Sequence, residues 1–383
     1  MLIQDTTHRK SLMSIRMKCL AVLGLLAFSW ATSVARAAEA PQRLLYVAVP
    51  GVRNYLEYGG HGLLVFDIDH GHKFVRRIPT MGFGVNGVPD NVKGVCASAQ
   101  TGRLYISTTR TMQCVDLRTD QVLWDRAYEG GCDRMAISPD GKVIYLPSFE
   151  KEFWNVVDGA TGEILVQITP NSKAHNTVFG PDGKACYLAG LGSPLLTVAD
   201  TTTHTAARTI GPFSAAIRPF TVNGSQTLCF VTINQLLGFE IGDLQTGKKL
   251  HRVEVAGFAQ GPVKRHGCPS HGIGLTPDEK EIWVCDAANQ HLHLFDVTVS
   301  PPKQVASIKL RDEPGWVTFS IDGTLAYPST GEVIDVQTRK IVTTLTDESG
   351  RAVQSEKLLE IDFEGQEPVK AGCQFGVGAV GVP

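Results

Sequence analysis

The stretch MAISPDGKVIYLPS, Met135 to Ser148, returns along the chain as TVFGPDGKACYLAG (Thr177 to Gly190) and IGLTPDEKEIWVCD (Ile273 to Asp286). Looser copies are VCASAQTGRLYIS, FTVNGSQTLCFVT and VTFSIDGTLAYPS. Each reads as an apolar strand, a tight turn, and a second apolar strand that closes on an aromatic and small residues. The turn has a physical cause: Pro presets φ, Asp or Asn bonds to its own backbone, and Gly supplies a positive φ.

A second ladder runs alongside. Asp67, Asp116, Asp158, Asp200, Asp243, Asp296 and Asp335 each end an apolar strand, at spacings of 49, 42, 42, 43, 53 and 39 residues. Seven copies of a four-strand unit at this period specify an all-β, seven-bladed β-propeller with four-stranded antiparallel blades. The aspartates resemble a catalytic series, but a carboxylate before a Thr- or Gly-containing turn is expected to cap that turn. The first unit starts at RLLYVAV without an innermost strand, and EKLLEIDFEG is a strand left over after the seventh unit. Pairing the two closes the ring and removes its open edges.

Residues 1–37 stand apart. Arg9, Lys10, Arg16 and Lys18 precede an apolar run from Cys19 to Trp30, and Ala35-Arg36-Ala37 offers a small-x-small cleavage site. This is the pattern of a secretory signal peptide, so residues 38–383 are expected to form one exported propeller domain. No other window is long and apolar enough for a membrane span. Cleavage after Ala37 removes five basic residues and one acidic residue, leaving 31 Lys+Arg against 37 Asp+Glu. That balance gives no basic footprint for nucleic acid. Eight cysteines remain, without a C-x-x-C-H for haem or paired C-x-x-C for zinc. Cys186 and Cys229 fall at matching strand positions and are expected to be buried; Cys268 is expected to be a buried thiol or half of a disulfide.

With these repeats, the chain resembles the bacterial YVTN-type propellers of exported proteins, within the quinoprotein amine dehydrogenase-like superfamily. The SPDGKxxYV turn carries the resemblance, which covers essentially the whole mature chain. It implies the architecture and export. Members of that group include binders, scaffolds, lactonase-like enzymes, a lyase and propellers attached to redox systems, and none of their catalytic sets maps residue by residue onto this sequence.

In such a ring the innermost strand of each blade starts on the face that usually carries the site. Counting five residues back from the Ser or Thr of each turn, or its counterpart, marks those starts: Lys93, Asp133, His175, Ala216, His271 and Gly315, with Lys357 from the C-terminal strand. The following positions add Arg134, Asn176 and Trp316. Longer loops, in blade one (PGVRNYLEYGGHG), before blade two (PTMGFGVNGVPDNVKG) and in blade six (EVAGFAQGPVKRHGCPS), gather on the same face. The expected ligand-binding set is therefore Lys93, Asp133, Arg134, Asn176, Arg218, His266, Trp316 and Lys357. Lys264 and Arg265 add to its positive field, Tyr55, Phe149, Trp154 and Trp316 are expected at its rim, and Trp154, Trp283 and Phe230 also fit packing between blades.

The leading expectation is a monomeric exported propeller holding a small polar or anionic molecule, or a partner protein's loop, at the channel mouth. A lyase or hydrolase using His175 and His271 as acid and base is the second reading, and a scaffold beside a periplasmic redox or transport system the third. The cofactor is open. A divalent metal stays open, but His175 and His271 sit two blades apart without a close carboxylate pair, and no metal ligands are assigned.

Overall fold

The computed structural model describes residues 41–378. The expected signal peptide lies outside them. Seven antiparallel sheets follow one another in chain order. Blade 1 holds the strands Gln42–Val49, Gly62–Asp67 and Lys73–Ile78. Blades 2 to 7 occupy 92–127, 136–168, 174–210, 217–254, 273–309 and 317–344, four strands each. No helix of the described residues is long and apolar enough to cross a membrane.

The repeated turn folds as its residues dictate. In blade 3 the Ser138 hydroxyl donates to Asp140 Oδ1 at 2.6 Å, the Gly141 amide donates to the Ser138 carbonyl at 2.8 Å, and Gly141 sits at φ 71°. Blade 6 places Glu279 at the same left-handed position, φ 57°. Its carboxylate recovers something in return, accepting the Gly224 amide of the neighbouring turn at 2.5 Å. The aspartate ladder is a series of caps. Asp116 Oδ1 accepts the amides of Arg118 and Thr119 at 2.8 and 3.0 Å, and Asp158, Asp200 and Asp243 repeat the pattern.

Packing runs between blades. Trp154 is fully buried with Tyr145, Cys186 and Leu188 at the junction of blades 3 and 4, and its indole donates to Thr177 Oγ1 at 2.8 Å. It therefore packs between blades, as expected of it and of Trp283, and the further expectation that it stands at the channel rim is corrected. Truncating so large a buried ring typically costs about 3–5 kcal/mol. All eight described cysteines are unpaired. Cys186 and Cys229 are buried as expected, and burial pushes the Cys268 thiol up to about 12.

Closure takes place in blade 1. Strand Leu358–Glu364 pairs antiparallel with Gln42–Val49, in the register Gln42↔Phe363 to Val47↔Leu358. It fills the innermost position that the first unit lacks. One further strand, Glu367–Ala371, hairpins onto its inner side and gives this sheet five strands.

The chain then crosses the ring at the far end of the innermost strands. Thr318 Oγ1 donates to the Cys373 carbonyl, the Val95 amide to Gln374 Oε1, and the Leu275 amide and Thr221 Oγ1 to the Gly376 carbonyl, all at 2.7–2.9 Å. The Gly378 amide reaches the Val222 carbonyl at 3.2 Å. Residues 373–378 thus tie blades 2, 5, 6 and 7 together across one opening. Beside them lies a cavity of about 680 Å³.

Candidate functional site

At the opposite end, the starts of the innermost strands converge on a cavity of about 120 Å³. Each side chain is placed by a strand that begins there. In blade 3, the Asp133 amide is bonded to the Pro147 carbonyl and the Arg134 backbone bridges to that of Asn176 in blade 4. In blade 1, the Ser355 hydroxyl donates to the Ala48 carbonyl, fixing the turn that presents Glu356 and Lys357.

The side chains form one buried, charged chain. Lys93 Nζ lies 3.5 Å from Asp133 Oδ1. The other Asp133 oxygen accepts His175 Nδ1–H at 2.7 Å. Arg134 Nη1 donates to His175 Nε2 at 3.2 Å, which fixes the Nδ1–H tautomer, because a guanidinium can only donate. Arg134 Nη2 donates to Glu356 Oε2 at 2.6 Å, and Lys357 Nζ donates to the same oxygen at 2.5 Å. Glu356 Oε1 faces His266 Nδ1 at 2.9 Å. His271 lies beside them, its ring 5.4 Å from that of His266 and 6.5 Å from that of His175.

Burial sets the protonation states. It pushes the Asp133 and Glu356 carboxyls up, but the neighbouring cations win and hold both below the ordinary carboxylate range. His175 is lowered to about 4 by burial, only partly offset by Asp133, and burial holds His271 well below its ordinary value. Lys357 falls to about 7 through burial and the nearby Arg134.

The cavity itself is cationic. Arg53, Lys93, Arg134, Arg218, Arg265 and Lys357 line it, against the carboxylates of Glu150 and Glu356. The long loops of blades 1 and 6 lock over its edge: Arg265 donates to the Tyr58 hydroxyl and to Asp312, while Arg53 donates to the Arg265 carbonyl. Phe149 lies 5.0 Å under the Lys93 ammonium, and Tyr55 stacks near Arg265.

Of the residues expected from sequence, Lys93, Arg134, His175, Arg218, His266, His271 and Lys357 line the cavity, and Asp133 lies directly behind Lys93 and His175. Two are placed differently. Asn176 is fully buried away from the cavity, and its side-chain amide has no hydrogen-bond partner. Trp316 is buried in the core and does not line the cavity: the Arg134 guanidinium lies 5.0 Å over its ring, and its indole donates to the Gln374 carbonyl of the crossing tail. Lys264 is exposed outside the cavity.

Glu356 is the residue sequence reading passed over. The signal is there: Glu356-Lys357 puts two opposite charges at the head of an otherwise apolar strand. Gly315 also gains a reason. A Cβ there would fall 2.2 Å from His266 Cε1 and 2.5 Å from Glu356 Oε1, so the missing side chain makes room for this pair.

No protein-family profile and no curated protein matches the chain. Among solved structures it is similar to a chain described as Kuenenia stuttgartiensis hydrazine synthase, with 15% identity, a TM-score of 0.45, and coverage of 66% of this chain and 95% of that one. Nothing of that protein's chemistry is carried over.

Proposed function

We propose that this propeller is a binding protein that takes a small anionic ligand, a carboxylate, sulfate or phosphate, at the mouth formed by the innermost strand starts. The observation that carries the reading is a pair of guanidiniums: of the cations lining the cavity, Lys93, Arg134, Lys357 and Arg265 are paired with Asp133, Glu356 and Asp312, while Arg53 and Arg218 have no carboxylate partner among the described residues. Arg218 and Arg265 hold donors at the edge where a ligand enters. A bidentate oxyanion matches guanidinium geometry, and its charge would compensate Arg53 and Arg218.

Acid–base chemistry by His175 and His271 is less well supported. His175 Nε2 already accepts from Arg134, so it is not available as a base toward a substrate. Within the same reading, the chain is an exported propeller of the YVTN type, cut after Ala37. No feature of the mouth favours a scaffold role.

Titration of residues 38–383 with phosphate, sulfate and small dicarboxylates by calorimetry tests the proposal. At least one anion is expected to bind, with affinity falling as sodium chloride rises, and Arg218→Gln is expected to weaken it by roughly tenfold. Binding of neutral sugars in preference to every anion, or no binding of any anion, would falsify it.

A further inference from the structure

We propose that His266, His271 and Glu356 form a site for one divalent transition-metal ion. This goes beyond the anion reading and does not depend on it. The three residues come from two distant parts of the chain, the long loop and strand start of blade 6 and the closing strand of blade 1. All are buried, and one ligand atom from each lies within 4.8 Å of the others.

Second contacts orient the set as metal ligands are usually oriented. His271 Nδ1–H donates to the Gly315 carbonyl at 2.9 Å, which leaves Nε2 as the outward nitrogen. His266 Nε2–H donates to the Glu313 carbonyl at 3.3 Å, which turns Nδ1 toward Glu356 Oε1. Arg134 and Lys357 occupy the other carboxylate oxygen, Oε2, and hold the group in place without competing for Oε1. An ion seated here lies between His266 Nδ1 and Glu356 Oε1, with His271 Nε2 as the third ligand. Metal–ligand bonds of about 2.1 Å need His271 Nε2 to draw in and the 2.9 Å His266–Glu356 pair to open slightly.

Two imidazoles and one carboxylate suit Zn²⁺, Co²⁺, Ni²⁺ or Fe²⁺ better than Mg²⁺ or Ca²⁺, which prefer all-oxygen shells. Three protein ligands on one side leave coordination positions facing the cavity, which water or an anion can fill.

The test uses chelator-stripped, folded residues 38–383 and Zn²⁺ alone. Calorimetry is expected to give one ion per chain. His266→Gln and His271→Gln are each expected to weaken binding about 100-fold or more, while His291→Ala, in the same blade but outside the cluster, leaves it unchanged. Zinc-edge X-ray absorption on the wild-type complex gives a readout that needs no variant, and two imidazoles with oxygen are expected around the ion. Failure of the stripped wild-type protein to bind Zn²⁺ stoichiometrically overturns the proposal. So does a bound ion with fewer than two imidazoles, or binding that persists in both histidine variants. Loss of Zn²⁺ binding with anion binding intact removes this site and leaves the preceding proposal standing.

Discussion

Glu356 carries more of the site than any other side chain, because two cations and one imidazole meet on its two oxygens. A charge pair taken out of water is stable only while both signs are present. Glu356→Gln keeps the shape but leaves Arg134 and Lys357 buried without their counter-ion. It is expected to cost about 3–5 kcal/mol in urea unfolding. A second expectation concerns His72, which is buried against the Tyr327 hydroxyl at 3.2 Å. Burial, with help from Arg43, lowers it to about 4. Between pH 6.5 and about 4 the unfolded chain therefore holds a proton on this ring that the folded chain does not. Stability is lost as pH falls through that window, by at most about 1.4 kcal/mol per pH unit from this one group. His72→Asn, which tolerates the left-handed backbone there (φ 61°), should flatten that part of the stability–pH curve measured by thermal unfolding.

At the scale of elements, the repeats were readable because each blade uses the same local physics. Apolar strand, Asp-capped turn and left-handed glycine recur wherever a strand must reverse, so Asp116 or Gly141 can be placed without any knowledge of partners. The closing strand was readable for the same reason, as an apolar segment with no unit of its own. Strand Glu367–Ala371 and the crossing tail were not. Their sequence, EPVKAGCQFGVG, has little apolar periodicity, and its partners lie in blades 2, 5, 6 and 7, far off in the chain. The two C-terminal elements have separable roles, which gives an expectation by truncation. Ending the chain at Gly372 keeps ring closure but removes the acceptor of the Trp316 indole. That variant should stay folded with a lower midpoint and a shifted tryptophan emission. Ending it at Glu356 removes the innermost strand of blade 1 and should abolish cooperative unfolding altogether. Equal midpoints for the two truncations would contradict this division.

Over the whole molecule, the site was legible as a list and not as a network. Equivalent positions in the repeat place Lys93, Asp133, His175 and His271 at one mouth, because blade symmetry carries each to the same height. Symmetry is silent about who meets whom. The pairing of Arg134 with Glu356, or of His266 with Glu356, depends on the ring closing so that blade 1 faces blades 3 and 6 across the channel, and on loop lengths that no repeat dictates. Asn176 shows the converse, since it holds an equivalent position but turns into the protein.

The register of blade 1 has one more consequence. Gln42 pairs with Phe363, at the end of the closing strand farthest from the cationic mouth, and Gly378 is bonded to Val222 at that same end. Both ends of the described chain therefore leave by the face that the tail crosses. The cationic mouth and the two ends of the described chain thus occupy opposite faces of the ring. Covalent coupling through a cysteine placed at Gln42 is therefore expected to leave anion binding at the mouth unchanged, as surface plasmon resonance would read.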